Sequence, residues 1–344
     1  MLCTSVRRKT TGSRLIVCGL VAAVLLTACE SEDPSNPPEG SSDVGSPSGI
    51  ERPEVTKITV GDSPYEVLVS GGSVWVANSG DGTVSRIDAE SFEVIGSVRV
   101  GATPVALAAY GDSILVVDRE DSSLYQIDAA SGEVVARIKG LGAAPVYAAV
   151  SGHRAWVANS GDDTVSVVDL RKQKVAGKPI RVGNTPVAVA VVEGNVWIAN
   201  AGGRSLTRID ASTGEVIGQA VRLESSPVSL TPAGGTLWVA EYEGGVVSRL
   251  DPVAGNALGP PVEVGANPTG MTSGGGFVWV NSLLEEAVFR IDPSSGEAVG
   301  DPLPTIEKPY GVAVGEGSLW VVGNQDDAVL RVALAAVELD NLTP

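Results

Sequence analysis

Short apolar, β-branched runs alternate with polar turn clusters along most of the chain, and this pattern recurs every 40 or 41 residues. In the second repeat the pattern predicts four strands, at Pro104–Ala109, Ser113–Asp118, Ser123–Asp128 and Glu133–Lys139. Gly-Asp and Ser-Gly pairs stand between strands, where tight hairpin turns need them. The chain is therefore predicted to be all-β.

Two landmarks give the number of repeats. A proline opens each unit, at Pro64, Pro104, Pro145, Pro186, Pro227, Pro268 and Pro309. An Asp ends the third strand, at Asp88, Asp128, Asp169, Asp210, Asp251 and Asp292, and Ala333 takes the seventh slot. Every Trp lies in one slot of the second strand, at Trp75, Trp156, Trp197, Trp238, Trp279 and Trp320, with Leu115 in the second unit.

Seven units with four strands each predict a seven-bladed β-propeller of four-stranded antiparallel blades. The segment Val55–Val60 has the pattern of an outermost strand, whereas the seventh unit, Pro309–Val332, has only three clear strands. We therefore expect the N-terminal strand to join the last blade, which closes the ring and removes an open sheet edge. On this prediction the propeller spans 54–333, and 334–344 is a fraying tail.

A targeting segment precedes the repeats. Met1–Ala28 has a basic start and an apolar run of 12 residues, Leu15–Leu26, which is shorter than the roughly 20 residues that span a bilayer. Leu26-Thr27-Ala28-Cys29 resembles the bacterial lipoprotein signal, which implies cleavage before Cys29 and acylation of its thiol. A plain secretory signal is the alternative, and both the Sec and the twin-arginine routes stay open.

Residues 29–53 are rich in Pro, Ser, Gly and acidic residues, so we expect a disordered tether behind the lipid-bearing Cys29. The other cysteines, Cys3 and Cys18, lie in the signal, and the processed chain can form no internal disulfide. These features predict a monomer held through its lipid at the outer face of the bacterial cytoplasmic membrane or in the periplasm.

The charge of the chain restricts the classes of molecule that it is expected to bind. With 24 Lys and Arg against 41 Asp and Glu the net charge is −17, and loss of the four basic residues of the signal lowers it to −21. Such a charge disfavours nucleic acids and anionic lipid surfaces, which are bound mainly through basic residues. It also serves solubility.

Few residues carry the chemistry of a catalytic or metal site. His153 is the only histidine, and its repeat slot is a turn between the first two strands, so a His-based triad or metal site has no second His. The repeated Asp residues are interpreted as turn caps and the Trp residues as packing between blades. Asp81, Asp162 and Asp163 lie in loops without the alternating carboxylates of a calcium loop. We expect no cofactor, and a divalent metal stays open.

The end of the second strand offers the candidate binding face, because its loops leave on the same side as the proline turns. One residue per blade forms this strand-end ring: Asn78, Asp118, Asn159, Asn200, Glu241, Ser282 and Gly323. The residues after the prolines are predicted to line the channel mouth: Tyr65, Val105, Val146, Val187, Val228, Thr269 and Tyr310. Arg119, Arg204, Glu241, Tyr242 and Glu243 break the repeat nearby. The alternative for all of them is polar turn structure.

The motif VWVANSGDGTVSRID followed by VRVGATP resembles the YVTN-type β-propeller repeat, with Trp in place of its Tyr, over nearly all of Val55–Val332. That resemblance implies a seven-bladed propeller in an exported or surface protein. The stretch LWVAEYEGGVVSRLD, Leu237–Asp251, is similar to virginiamycin B lyases, whose activity depends on histidines and magnesium at the channel mouth. This chain has no histidine there, although Glu241 suits an acidic slot.

Two functions follow as hypotheses. The first is a binding module that holds an envelope protein or a small extracellular ligand through its loop face and channel mouth. The second is a metal-assisted lyase or hydrolase of the virginiamycin B lyase-like class, working through carboxylates at the mouth.

Overall fold

The computed structural model describes residues 53–334. The predicted signal, Cys29 and most of the predicted tether lie outside the described residues, as do residues 335–344 of the predicted tail. In the described range the chain forms seven antiparallel sheets, one per repeat, in which the first, second and third strands pair in chain order. The predicted seven-bladed β-propeller is confirmed.

The innermost strands of the blades begin at the repeated prolines and contain Pro64–Ser70, Pro104–Tyr110, Pro145–Ser151, Pro186–Val192, Pro227–Ala233, Pro268–Gly274 and Pro309–Gly315. The second strands, which carry the Trp slot, are Ser73–Asn78, Ser113–Asp118, Arg154–Asn159, Asn195–Asn200, Thr236–Glu241, Phe277–Ser282 and Ser318–Gly323. The predicted first and second strands are therefore present in all seven blades.

The third strands are Thr83–Asp88, Ser123–Asp128, Thr164–Asp169, Ser205–Asp210, Val246–Leu250, Ala287–Asp292 and Ala328–Ala333. The outermost strands vary most and include Val94–Arg99, Val134–Lys139, Lys174–Val175 with Ile180–Arg181, Val221–Arg222, Val262–Glu263, and Glu297–Ala298 with Leu303–Pro304. A glycine interrupts the outermost strand in each of the third to sixth blades, together with proline in the third, fifth and sixth, so only short pairs of residues keep the ladder.

The ring closes as predicted. The N-terminal strand Val55–Thr59 pairs antiparallel with the third strand of the seventh blade, from Val55 opposite Val332 to Thr59 opposite Ala328. Leu334, the first residue of the predicted tail, is buried against this blade, and its N–H donates to the carbonyl of Gly317. Within residues 53–334, no helix is long and apolar enough to cross a membrane.

Packing between blades explains the Trp slot. All six Trp side chains are at most 1% exposed, and Leu115 in the same slot is fully buried. Several stack on an Arg of the third strand, for example Arg86 at 5.0 Å from the Trp75 ring centre and Arg249 at 5.5 Å from that of Trp238. The predicted packing role of the Trp residues is confirmed.

The Asp that ends the third strand caps a turn, also as predicted. In the second blade the Asp128 carboxylate accepts hydrogen bonds from the N–H and the hydroxyl of Ser131, at 2.8 and 2.9 Å. The same two donors, foremost the N–H, hold the pKa of Asp128 below its ordinary value. His153 lies in the opposite turn, between the first two strands, where its Nδ1 is 2.9 Å from the Tyr110 hydroxyl.

Candidate functional site

Each innermost strand carries a β-bulge immediately after its proline. In the first blade Pro64 pairs with Asn78 and Glu66 with Ala77, so the register of the pairing shifts by one residue between them. The pairing shifts at the same place in the other six blades. A bulge re-aims side chains that strict alternation would send to opposite faces. Both the first and the second residue after the proline therefore line the channel in the first, third, fifth, sixth and seventh blades.

The mouth of the channel holds a cavity of about 310 Å³, called the mouth cavity below. Four of the six tyrosines in the chain line it, namely Tyr65, Tyr147, Tyr242 and Tyr310. Its apolar wall includes Val146, Val187, Val228, Met271 and Val312. Glu66 is the one carboxyl group among the lining residues and Arg119 the one basic group. The cavity therefore combines an apolar, aromatic wall with two ionisable side chains.

Glu66 is the residue whose chemistry the cavity changes most. Burial raises its pKa from an ordinary value of 4.5 to about 8, and the Val67 N–H, which donates to its carboxylate at 3.3 Å, lowers it only in part. Water reaches part of the side chain through the open mouth, yet protein surrounds the carboxyl group. At neutral pH this group is mostly protonated.

Tyr147 lies near enough to Glu66 to sense its charge. Burial, and next the Glu66 carboxylate, raise the pKa of the Tyr147 phenol. A second cavity of about 340 Å³ adjoins the first and shares Tyr147 and Met271 with it. Later residues of the innermost strands line this second cavity, so ligand-sized space continues along the channel.

Two glycines shape one side of the mouth cavity. A Cβ on Gly311 would lie 2.9 Å from both the Glu66 Cα and the Tyr65 carbonyl oxygen, and a Cβ on Gly270 would overlap the Tyr310 carbonyl oxygen. The innermost strands of the sixth, seventh and first blades therefore approach closely because these positions lack a side chain. This contact places Tyr65 and Tyr310 together, with ring centres 5.2 Å apart.

The loop that carries Tyr242 is fixed from both sides. The Glu241 carboxylate accepts hydrogen bonds from the Ser225 N–H at 3.1 Å and the Ser248 hydroxyl at 2.5 Å. The Glu243 carboxylate accepts from the N–H and the hydroxyl of Ser226, at 2.8 and 2.9 Å. Tyr242 between them is held at the cavity wall.

Glu243 has a pKa below its ordinary value. Desolvation alone would raise this pKa, but the two Ser226 hydrogen bonds and the nearby charge of Arg204 lower it by more. Arg204 is exposed and lies outside the mouth cavity.

The strand-end ring lies behind the cavity wall. Its six members other than Gly323 are at most 3% exposed, and each makes hydrogen bonds to neighbouring protein groups: Asn78, Asp118, Asn159, Asn200, Glu241 and Ser282. Asp118, for example, accepts from the N–H groups of Ala102 and Thr103 just before Pro104. The ring thus ties the end of the second strand to the proline turn. None of its members is among the lining residues.

Other predicted binding-face residues do reach the mouth cavity. Tyr65, Arg119, Tyr242 and Tyr310 line it together, as do the residues after the prolines in every blade except the second, where Val105 is buried. The loop carboxylates Asp81, Asp162 and Asp163 instead accept hydrogen bonds from nearby backbone and hydroxyl groups.

Glu66 and Tyr147 escaped the sequence-based prediction, although a signal for them exists. They occupy the second position after the proline, which in the remaining blades holds a small residue: Ala106, Ala188, Ser229, Gly270 and Gly311. A large, polar exception in a slot of small residues marks a site. The bulge that turns this slot toward the channel has no clear sequence signature.

The mouth does not fit the magnesium site implied by the resemblance to virginiamycin B lyases. Glu66 is the single carboxyl group in the cavity, and His153 lies in a turn at the other end of the blade. Over residues 53–334, no group of three or more His, Cys, Asp or Glu is placed to hold a metal ion. No step is therefore assigned to a metal.

Comparison with known proteins places the fold. No protein-family model and no curated protein sequence matches the chain. Among solved structures, virginiamycin B lyase from Staphylococcus aureus aligns with a TM-score of 0.72 at 16% identity, over 82% of this chain and 100% of its own. A streptogramin B lyase structure aligns at 0.71 and 15%, over 81% and 97%. Hydrazine synthase of Kuenenia stuttgartiensis aligns at 0.71 and 20%, over 81% and 97%. The chain has the seven-bladed β-propeller fold of the virginiamycin B lyase-like structures.

Proposed function

We propose that this protein is a lipid-anchored, extracytoplasmic β-propeller that works as a binding module. A small extracellular ligand, or a side chain projecting from an envelope protein, enters the mouth cavity. The observation that carries this proposal is the cavity itself, whose volume of about 310 Å³ lies at the lower end of the range for ligand sites. Its Tyr, Glu and Arg side chains break a repeat that is regular elsewhere.

The chemistry of the mouth cavity favours binding over catalysis. The hydroxyl of Thr269, for example, donates its hydrogen to the Pro309 carbonyl at 2.8 Å rather than to a base. A nucleophile needs an adjacent base, which His153 cannot supply from the other end of the blade. Fold alone does not decide function, whereas the chemistry of the site does.

Capture on the cell envelope tests the proposal. The full chain is cross-linked to its surroundings in membranes, and the captured molecules are compared for wild type, Tyr242→Ala and Tyr110→Ala. Tyr242 lines the mouth cavity, whereas Tyr110 ends the innermost strand of the second blade, where its hydroxyl contacts the turn residue His153. Loss of a captured molecule with Tyr242→Ala alone supports the mouth. Equal capture by all three contradicts it.

Membrane attachment through Cys29 needs its own test. Cys29→Ser removes the thiol that the proposed lipid occupies, so the variant is expected in the soluble extracytoplasmic fraction while wild type sediments with membranes. An unchanged membrane fraction would contradict lipid attachment at Cys29. The proposal includes a monomer that contacts the membrane through this lipid and binds no nucleic acid.

A lyase or hydrolase is the second candidate, and one observation favours it. Glu66 has a pKa of about 8 inside a mostly apolar cavity, which suits a general acid or base near neutral pH. The similar fold of virginiamycin B lyase is an analogy in the same direction. Turnover of a cyclic ester that stops in Glu66→Gln would support this candidate. An inert wild type, with and without magnesium, would exclude it for that substrate class.

A further inference from the structure

We propose that the mouth cavity binds an organic cation, with an ammonium group held between the Glu66 carboxylate and the faces of the surrounding tyrosine rings. This inference rests on the proposed binding function and names the class of its ligand. Quaternary ammonium groups are recognised by aromatic rings because the negative face of the ring attracts the positive charge.

The arrangement of the aromatic residues favours a cationic ligand. Tyr65, Tyr147, Tyr242 and Tyr310 come from the first, third, fifth and seventh blades, so they surround the cavity instead of forming one patch. Tyr65 and Tyr310 are inclined to each other by 35°, which forms a shallow aromatic corner beside Glu66. Tyrosine rings on several sides of a small cavity suit a compact, weakly hydrated cation.

The charge of the cavity also favours a cationic ligand. No ion pair to Glu66 is found within residues 53–334. Burial accounts for its raised pKa, and no neighbouring basic group counteracts that effect, so Arg119 at the exposed rim does not neutralise the carboxylate. A cationic ligand supplies the counter-charge that the Glu66 carboxylate lacks. The net charge of −17 adds long-range attraction for cations.

The titratable groups around Glu66 give the proposal a proton signature. Those that line the same cavity are Arg119 and the four tyrosines, and none of them has an ordinary pKa near neutrality. With a pKa of about 8, Glu66 is about 90% protonated at pH 7. A bound cation favours the carboxylate, so binding at pH 7 is expected to release close to one proton. Below pH 8, the affinity of the cavity for the cation should therefore rise about tenfold for each unit by which the pH increases.

Isothermal titration calorimetry on the full chain in detergent tests the inference. The probes are tetramethylammonium, choline and benzyltrimethylammonium, with 3,3-dimethylbutan-1-ol as the neutral isostere of choline. We expect at least one cation to bind, and choline to bind at least about tenfold more tightly than its isostere. Titrations at pH 7 in buffers of different ionisation enthalpy measure the released proton.

Matched variants separate the contributions. Glu66→Gln should remove both the proton release and the pH dependence, and weaken cation binding at pH 8 by about tenfold or more. Tyr242→Ala should weaken it at every pH, whereas Tyr110→Ala should change nothing. Far-ultraviolet circular dichroism of each variant checks that the blades are formed.

Two outcomes overturn the inference. One is the absence of saturable binding of all three cations up to about 10 mM. The other is equal affinity for choline and its isostere. If the neutral isostere or an anionic probe such as benzoate binds and Tyr242→Ala weakens it, the mouth is a ligand site of another class. If envelope capture is also unaffected by Tyr242→Ala, the proposed function fails as well.

Discussion

The packing layers between blades and the mouth of the channel differ in how much their residues vary from one repeat to the next. Between blades the same slot holds Trp in six of seven repeats, and every one of these rings is buried. At the mouth the second position after the proline changes from Glu66 to Tyr147 to glycine around the ring. Packing requires one shape at every blade interface, whereas the mouth is formed jointly by all blades. Changes in the first region should therefore alter stability and changes in the second should alter binding.

The largest expected effect comes from emptying one Trp slot. Trp238→Ala removes a fully buried ring between two blades and should lower the free energy of unfolding by about 3–5 kcal/mol. Tyr242→Ala, at the mouth, should change it by less than about 1 kcal/mol while weakening ligand binding. Urea unfolding of both variants measures the difference. Similar losses of stability would show that the mouth is also a packing layer.

Titration of Glu66 gives the second largest effect. Its folded pKa of about 8 exceeds the ordinary 4.5 of an unfolded glutamate, so the folded protein binds one more proton between these values. The resulting stabilisation is present in full below pH 4.5 and is lost as the pH rises through 8. The free energy of unfolding should fall by up to about 1.4 kcal/mol per pH unit in this window.

Glu66→Gln should abolish this slope, which urea unfolding at pH 5 to 9 measures. The control is Glu243→Gln, because the pKa of Glu243 is lowered. Its contribution is present above the ordinary pKa and is lost as the pH falls through the folded one, so its sign is opposite. A wild-type slope that survives in Glu66→Gln would place the titrating group elsewhere.

Closing the gap between strands at the mouth should cost less. Gly311→Ala brings a Cβ to 2.9 Å from the Glu66 Cα, and the strand shift that follows should destabilise the protein by about 1–3 kcal/mol. Gly96→Ala is the matched control, because a Cβ on this strand residue meets no atom within 4 Å. Urea unfolding of the pair compares them. Equal stability would mean that the innermost strands adjust freely.

The sequence predicted the fold more fully than the site. The period of prolines, Asp caps and Trp residues required seven blades, and the unpaired strand at Val55 required closure on the last blade. At the mouth, Tyr65 and Tyr310 were identified by their position after the prolines, and Tyr242 and Arg119 because they break the repeat. Glu66 and Tyr147 were missed because strict alternation points them away from the channel, and only the bulge after the proline turns them inward.

The strand-end ring illustrates the same limit. Asn78 looks like a polar residue at a loop face, yet its side-chain amide donates to the hydroxyls of Thr83 and Ser85, both at 2.9 Å, beneath the surface. A sequence does not distinguish a polar side chain that donates to hydroxyls inside the blade from one that faces a ligand. The contacts make that distinction.

The smallest effect concerns two residues that break the glycine slot after the Asp cap. Gln173 and Phe92 adopt φ values of 51° and 62°, where Gly132 has 75°. Gln173→Gly should stabilise the protein by up to about 1 kcal/mol, because it relieves left-handed strain and loses only a 3.3 Å hydrogen bond to Gln126. Phe92→Gly should destabilise it, because the ring stacks on Arg331 at 3.9 Å and contacts Trp320 between blades. Thermal unfolding of both variants measures the sign. Stabilisation by both changes would mean that the Phe92 ring contributes no packing energy. Opposite signs would show that large side chains also stabilise the blade interface at the turns that flank it.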